Sequence, residues 1–109
     1  MRGVLAQYAS VPQGQLARKP TSLTFEQAAA VPISGFAALQ ALRDTRGVQP
    51  GQTVVVIGAS GGVASFAVQL AKAFGAEVTG VCSTKTADMV RSIGADHIID
   101  YTHPHRAAL

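Results

Sequence analysis

The spacing of apolar residues changes after Gln52 and predicts alternating strands and helices from there to Asp100. Short runs of β-forming apolar residues alternate with segments whose apolar positions recur at i, i+3 and i+4. The predicted order is strand Thr53–Ile57, helix Val63–Phe74, strand Glu77–Cys82, helix Thr86–Ile93 and strand His97–Asp100. Short connections between such elements favour parallel strands joined by right-handed crossovers. We therefore predict an α/β fold with a partial doubly wound parallel sheet of β-α-β-α-β order.

The first half of the chain predicts one strand and two helices. The run Val4–Ala9 has a period of two, with Val4, Ala6 and Tyr8 alternating with Leu5, Gln7 and Ala9, and predicts a strand that ends before Pro12. Thr24 begins a capping-box pattern (Thr-Phe-Glu-Gln), and the helix that it caps should run through three alanines and end or kink at Pro32. A second helix is predicted over Gly35–Arg43.

Composition excludes several classes of protein. The chain has 109 residues, of which 48% are hydrophobic and 14% are charged, so a packed core is expected rather than disorder. Its single cysteine, Cys82, excludes a disulfide framework and fits a reducing compartment. The sequence has neither a signal-peptide pattern nor a run of ~18 apolar residues, so we expect a cytoplasmic protein with no membrane partner.

The net charge of +3 leaves nucleic-acid binding open but does not favour it. Basic residues are scattered, without a basic run or interleaved aromatic side chains on which bases could stack. An anionic small ligand suits this charge equally well, and an ordinary solvated surface is the favoured interpretation. We expect no nucleic-acid partner, since an RNA-binding activity would have only the positive charge in its support.

A glycine-rich turn follows the first predicted strand of the second half. The run VVVIGASGGVA, from Val54 to Ala64, passes from a buried strand through glycines into an apolar helix. Glycines at Gly58 and Gly61 let backbone N–H groups approach a diphosphate, toward which the positive end of the helix dipole points. The turn is not a P-loop, because Gly-Lys-Ser/Thr is absent. A tight turn that binds nothing is the alternative, and nucleotide binding is favoured over it.

The end of the second predicted strand decides which dinucleotide the turn would bind. NAD sites usually carry an Asp or Glu there, which accepts a hydrogen bond from the ribose 2′-OH. This chain has Ser83, Thr84 and Lys85 instead, and two hydroxyls with an ammonium group suit a 2′-phosphate. NADP(H) is therefore the predicted coenzyme. The alternative, that Ser83 or Thr84 caps the next helix and Lys85 is solvated, is compatible with that prediction.

Six motifs occur along the chain in a characteristic order and spacing. They are AAAVPISG at Ala28–Gly35, ALQAL at Ala38–Leu42, PGQ at Pro50–Gln52, GASGGV at Gly58–Val63, AKAFGA at Ala71–Ala76 and GADHIIDY at Gly94–Tyr101. Together they resemble the medium-chain dehydrogenase/reductase superfamily, and within it the branch of zinc-independent quinone oxidoreductases. The resemblance covers residues 3–102, and the joint spacing of the motifs is highly specific.

The resemblance implies a GroES-like substrate domain followed by a Rossmann-type nucleotide domain, with hydride transferred from NADPH to a quinone or an activated alkene or carbonyl. Residues 1–22 would be a remnant of the substrate domain, residues 23–50 connecting helices, and residues 51–109 the N-terminal half of the NADP-binding domain. The chain would then be a fragment, with most of the substrate domain before Met1 and further strands after Leu109. The full-length family also implies a homodimer and a small-molecule quinone or enone substrate.

The resemblance further implies roles for seven residues. Along the pyrophosphate of the coenzyme would lie the turn residues Ser60, Gly61, Gly62 and Val63. Ser83 and Lys85 would meet the 2′-phosphate, and Tyr101 would lie near that phosphate and the adenine.

No metal site is expected. Zinc-dependent relatives carry a Cys ligand two residues before the glycine that matches Gly35, and this chain has Ile33 there, which cannot bind zinc. The pair His103-x-His105 lacks partner ligands. We nominate no catalytic residue, because this branch relies on positioned hydride transfer. Two alternatives stay open, a non-catalytic nucleotide-binding remnant and a relative of zinc-type alcohol dehydrogenases; the isolated chain is expected to be inactive.

Overall fold

The computed structural model describes residues 5–45 and 47–103, and its centre is a three-stranded parallel sheet. The strands are β1 (Thr53–Ile57), β2 (Glu77–Cys82) and β3 (His97–Asp100). Their order in the sheet is β1-β2-β3, so β2 pairs with both of the others. All three begin and end at the predicted residues, and the predicted α/β fold is confirmed.

In the described part of the chain, four α-helices accompany the sheet: α1 (Phe25–Ala29), α2 (Pro32–Leu39), α3 (Gly62–Ala73) and α4 (Ala87–Ser92). α3 and α4 connect the strands, in the predicted alternation. α3 begins and ends one residue earlier than predicted, and Gly75 follows it with a φ of +86°, a conformation that favours glycine. Within the two described ranges, no helix is long and apolar enough to cross a membrane.

The helix predicted over Thr86–Ile93 is shorter in the structure. A 3-10 turn at Thr84–Thr86 precedes α4. Ser83 occupies the cap position of this turn, but its side chain makes no capping hydrogen bond, and the Thr84 hydroxyl donates to the carboxylate of Asp100 instead. The predicted side-chain cap is therefore wrong, because a buried carboxylate takes the hydroxyl that a cap would need.

One face of the sheet carries the hydrophobic core. Side chains of this face pack against α3 and α4, and the largest fully buried side chains of this core include Ile98 and Val78 of the sheet and Val68 and Val90 of the helices. Side chains alternate between the two faces of a strand. On the opposite face, Val55 and Ile57 of β1 are 57% and 80% exposed. Both faces of a parallel sheet are normally covered, and here the described residues cover one of them.

The helices around Pro32 agree with the prediction, with one difference. Thr24 Oγ1 accepts from the Gln27 N–H at 3.1 Å and Gln27 Oε1 accepts from the Thr24 N–H at 2.9 Å, which confirms the capping box. α1 ends before Pro32, but α2 begins at Pro32 rather than Gly35 and continues as a π-helical segment over Gln40–Thr45. Proline suits the first helical position because it has no N–H to leave unpaired.

The strand predicted over Val4–Ala9 is wrong for the part that the structure describes. Residues 5–10 form no strand, and Leu5 and Tyr8 are exposed. A pattern of period two leads to a strand only where a partner strand is available, and no described strand runs beside this segment. Val4 and residues 104–109, which include the His105 of the rejected metal pattern, lie outside the described residues.

Gly80, in the middle of β2, offers a test of the core packing. A Cβ there would lie 2.6 Å from Val90 Cγ1 and 3.2 Å from Ala59 Cβ. We expect Gly80→Ala to lower the free energy of unfolding by about 1–3 kcal/mol through overpacking, as measured by urea unfolding. Gly14→Ala is the matched control, because a Cβ at Gly14 meets nothing within 4 Å. An equal decrease in the free energy of unfolding of both variants would contradict overpacking at Gly80 as the cause.

Candidate functional site

The turn between β1 and α3 is fixed to the neighbouring strand by its own backbone. The N–H groups of Gly58 and Ala59 both donate to the carbonyl of Val81, at 2.9 and 3.0 Å. The Gly61 N–H donates to the Gly58 carbonyl at 2.9 Å, which closes the turn. Gly58 has a φ of +71°, which residues with a side chain rarely adopt. These backbone hydrogen bonds and the conformation of Gly58 therefore fix the shape of the turn.

Three backbone N–H groups of this turn are available to a ligand. Among the described residues, no group accepts a hydrogen bond from the N–H of Ser60, Gly62 or Val63. Gly62 and Val63 begin the 12-residue helix α3, where N–H groups lack intrahelical acceptors and the helix dipole is positive. All three residues are exposed. The turn is chemically suited to an anionic group such as a diphosphate.

Ser34 of α2 lies beside the beginning of α3. A Cβ on Gly62 would lie 3.5 Å from Ser34 Oγ, and one on Gly61 would lie 3.2 Å from the Gly58 carbonyl oxygen. The packing of α2 on α3 brings Ser34 to this place, although 28 residues separate it from Gly62 in the sequence. We did not single out Ser34 from the sequence; its position as a polar residue within an apolar helix was the available signal.

The other predicted site residues follow β2 and β3. Ser83 comes directly after β2, Lys85 lies in the next turn, and Tyr101 comes directly after β3. The Tyr101 N–H donates to the carbonyl of Cys82 at 3.2 Å, which joins the two strand ends. Within residues 5–45 and 47–103, none of these three side chains makes a hydrogen bond or an ion pair. Lys85 is exposed and Tyr101 is 62% exposed, so both can reach a ligand.

The structure brings all seven predicted site residues to one edge of the sheet, where the parallel strands have their carboxyl ends. Backbone hydrogen bonds to Val81 connect the turn to β2, and the bond between Tyr101 and Cys82 connects β2 to β3. Open α/β sheets bind their ligands at this edge. The roles of the seven residues in binding stay predictions.

A buried carboxylate at the same edge, that of Asp100, was not singled out from the sequence. Asp100 is 5% exposed and accepts hydrogen bonds from the hydroxyls of Thr102 and Thr84 and from the Thr102 N–H, the last at 2.9 Å. The two hydroxyls, that of Thr102 first, lower the pKa of Asp100 to about 2, so the carboxylate is ionised at neutral pH. A carboxylate at the end of a buried strand, followed by a threonine two residues later, was the available signal.

Comparison with known proteins assigns this chain to a family. Residues 62–108 match the family model described as zinc-binding dehydrogenase. The mitochondrial NAD(P)H oxidoreductase RTN4IP1 of Mus musculus is 41% identical over 105 residues, which cover 93% of this chain. The chloroplast envelope quinone oxidoreductase homolog of Arabidopsis thaliana is 39% identical over 112 residues, which cover 98% of it. The chain belongs to the medium-chain dehydrogenase/reductase superfamily. Within that superfamily it is quinone oxidoreductase-like, which confirms the resemblance of the six motifs.

Solved structures of this superfamily share the fold. A crystal structure of an NAD-dependent alcohol dehydrogenase matches with a TM-score of 0.79 and 41% identity, over 86% of this chain and 28% of that one. The match supports the Rossmann-like arrangement of the parallel sheet. The chain spans 26% and 34% of the lengths of the two curated relatives named above, about a quarter to a third.

The hydrogen bonds of Asp100 predict a loss of stability in acid. The pKa of this carboxyl falls from 3.8 to about 2 in the folded chain. Its contribution to the free energy of unfolding is therefore complete above about pH 4 and is lost as the pH falls through about 2. We expect Asp100→Asn to be less stable than the wild type at neutral pH, with a difference that narrows below about pH 4.

Urea unfolding at a series of pH values measures this difference. Asp88→Asn is the control, because the Asp88 carboxylate is exposed and its 3.5 Å ion pair with Arg91 lies at the surface, where such pairs contribute little. A difference between Asp100→Asn and the wild type that stayed constant down to about pH 2 would show that these hydrogen bonds do not favour the ionised form.

Proposed function

We propose that this chain is the coenzyme-binding part of an NADPH-dependent oxidoreductase that transfers hydride to a quinone or to an activated alkene or carbonyl compound. The observation that carries the proposal is the chemistry of the carboxyl edge of the sheet. Free N–H groups lie at the glycine-rich turn, and Ser83 and Lys85 stand after β2 in place of a carboxylate. The names of the relatives, an NAD(P)H oxidoreductase and a quinone oxidoreductase homolog, support the oxidoreductase class and a nicotinamide coenzyme.

The part that these residues play is binding and orientation. When bound, the coenzyme supplies the hydride. The three N–H groups of the turn that lack an acceptor among the described residues would donate to its diphosphate, while Ser83 and Lys85 would donate to the 2′-phosphate with Tyr101 beside it. Such contacts accelerate a reaction by holding the reacting groups in one arrangement. We propose no general acid or base among the described residues.

The proposed preference for NADPH over NADH follows from charge. A phosphate monoester gains from the ammonium group of Lys85 and from hydroxyl donors. A free ribose 2′-OH would gain from an Asp or Glu after β2, and the chain has neither in the segment Ser83–Thr86. The relatives leave this choice open, because one carries NAD(P)H in its name and one solved structure is described as NAD-dependent.

We propose that this chemistry proceeds without zinc. Ile33 stands where zinc-dependent relatives carry a Cys ligand, and it is 89% exposed in α2. In the described part of the chain, no group of three or more His, Cys, Asp and Glu side chains is arranged to hold a metal ion. The matching family model has zinc in its description, so a relationship to zinc-type alcohol dehydrogenases is the alternative.

The division of the chain into domains is also a proposal. Residues 1–22 would belong to the substrate domain, residues 23–50 would connect the domains, and residues 51–109 would form half of the nucleotide domain. The substrate, a homodimer and a cytoplasmic location stay predictions as well. The two named relatives are described as mitochondrial and as a chloroplast envelope protein homolog.

A second candidate function is nucleotide binding without turnover. The open face of the sheet favours it, because Val55 and Ile57 are exposed and no described strand pairs with the outer edge of β1. Oxidation of NADPH by a quinone in the presence of the chain distinguishes the two functions. Turnover would support the reductase, and binding of NADPH without turnover would support the second candidate.

Thermal unfolding with added coenzyme tests the proposed selectivity. A ligand that binds the folded state raises the midpoint of unfolding as its concentration rises, so NADPH should raise it more than NADH does. Lys85→Glu should reverse this order, because a carboxylate would repel the 2′-phosphate and accept from the 2′-OH. Because this variant loses one charge-assisted hydrogen bond, its Kd for NADPH should rise about tenfold to a hundredfold.

Arg18→Glu is the matched control for Lys85→Glu, because it makes the same change of charge at an exposed residue outside the sheet. It should leave the order of NADPH and NADH unchanged. Equal midpoint shifts from NADPH and NADH in the wild type would contradict the 2′-phosphate assignment.

A second substitution tests the glycine-rich turn separately from the selectivity. Ser60→Asp places a negative charge at an exposed residue beside the free N–H groups. Because NADPH and NADH share the diphosphate, we expect both affinities to fall by the same factor, about tenfold, measured by the same titration. Ser10→Asp, at an exposed residue of the N-terminal segment, should change neither. A loss confined to NADPH would show that the turn does not hold the shared diphosphate.

A further inference from the structure

Four side chains at the carboxyl edge form one hydrogen-bonded group, the Asp100 cluster: Thr84, Asp100, Thr102 and His103. The Asp100 carboxylate accepts from both threonine hydroxyls. Thr84 Oγ1 lies 3.0 Å from Thr102 Oγ1 and 3.1 Å from His103 Nδ1. Thr102 Oγ1 lies 3.0 Å from the same ring nitrogen. The cluster therefore ties the segment after β2 to the segment after β3.

The cluster residues are interleaved with the residues proposed to bind the 2′-phosphate. Thr84 stands between Ser83 and Lys85, and Tyr101 directly follows Asp100. Within the described residues, the cluster side chains bond to each other, while the side chains of Ser83, Lys85 and Tyr101 make no hydrogen bond. Fixing the cluster thus fixes the backbone from which the three proposed contacts project.

The charge of Asp100 alone would disfavour a phosphate at this edge. The hydroxyl donors keep its carboxylate ionised, and a negative charge repels a phosphate group. The carboxylate is also buried, and removing a charge from water costs free energy unless its oxygens are hydrogen-bonded. Its three donors come from the segments after β2 and after β3. The carboxylate therefore holds together the segments after β2 and after β3. Attraction to the ligand does not explain its position.

We propose that Asp100, through Thr84 and Thr102, is a positioning residue that sets the preference for a coenzyme carrying a 2′-phosphate. The inference rests on the proposed function and deepens it, since it names the group that arranges Ser83, Lys85 and Tyr101. Asp100 itself does not contact the phosphate in this proposal. Its removal therefore affects the phosphate contacts and leaves the diphosphate contacts of the turn intact.

Asp96 provides a matched control because it is a second carboxylate that joins two elements of the same sheet. It accepts from the Val78 N–H at 2.8 Å and from Lys72 Nζ at 2.9 Å. The Val78 N–H and Lys72 lower the pKa of Asp96 as well. Asp96 precedes β3 and so lies at the amino edge of the sheet, opposite the proposed site. Asp96→Asn should cost stability without changing the coenzyme preference.

Isothermal titration of the 109-residue chain with NADPH and with NADH tests the proposal. We expect Asp100→Asn to reduce the ratio of the two affinities by about fivefold, with the affinity for NADH unchanged. Asp96→Asn should keep the wild-type ratio. An increased preference for NADPH in Asp100→Asn would overturn the proposal, because the loss of a negative charge alone would produce it. An unchanged ratio would overturn it as well.

Two variants of Thr84 test the same proposal without changing Asp100. They decide the question if Asp100→Asn does not fold. Thr84→Val removes the hydroxyl that donates to Asp100 and keeps the shape of the side chain. Thr84→Ser restores a hydroxyl at the same position. We expect the preference to fall in Thr84→Val and to return in Thr84→Ser. A wild-type preference in Thr84→Val, or no recovery in Thr84→Ser, would overturn the proposal.

Amide hydrogen exchange gives a readout that needs no coenzyme. The Thr102 N–H donates to Asp100, whereas the Tyr101 N–H donates to the Cys82 carbonyl. Asp100→Asn offers a weaker, neutral acceptor, so exchange should quicken at Thr102 more than at Tyr101. An unchanged exchange rate at Thr102 would show that Asp100 does not stabilise the segment after β3 and would overturn the inference.

The wild type distinguishes a failure of the proposed function from a failure of the inference about Asp100. A wild type that binds NADPH and NADH equally would overturn the proposed function, and with it the preference that Asp100 is inferred to set. A wild-type preference for NADPH that survives either Asp100→Asn or Thr84→Val would overturn this inference alone.

Discussion

The site depends on one carbonyl group, that of Val81, which accepts from the N–H groups of both Gly58 and Ala59. These bonds hold the turn against β2 one residue before that strand ends. Gly80 makes the close approach possible, because a Cβ there would lie 3.2 Å from the Cβ of Ala59. The turn cannot then shift without the end of β2, where Ser83 follows. The proposed diphosphate contacts and the proposed ribose contacts are therefore parts of one rigid unit.

The two ends of β3 are fixed in the same manner and for different purposes. At the amino end, the Asp96 carboxylate accepts from Val78 and Lys72, which ties β2 and α3 to the beginning of the strand. At the carboxyl end, Asp100 ties together the two segments that follow β2 and β3. A strand of four residues has few ladder bonds, so these side-chain bonds add to its fixation. Asp96 joins its partners at the exposed amino end of the sheet, and Asp100 is proposed to shape a ligand site.

The sequence predicts the second half of the fold well because its signals there are local. Each strand is a run of β-forming residues between turn residues, and Gly75 marks a helix end that the φ of +86° confirms. The strand at Val4–Ala9 fails because a strand needs a partner, which no local pattern provides. Asp100 was missed for a similar reason. Its donor Thr84 lies 16 residues away, and only the parallel pairing of β2 and β3 brings the two together.

Coenzyme selectivity and substrate choice differ in how far this chain can determine them. Every residue proposed for coenzyme contact lies between Ser60 and Tyr101, and the structure places all of them at one edge of one sheet. A preference between NADPH and NADH is therefore a local property that this chain can carry. The chain spans about a quarter to a third of the named relatives, 26% and 34%, and no residue described here is assigned to the acceptor. The structure constrains the proposed 2′-phosphate contact most directly, because backbone bonds and the Asp100 cluster connect the segments that carry the proposed donors.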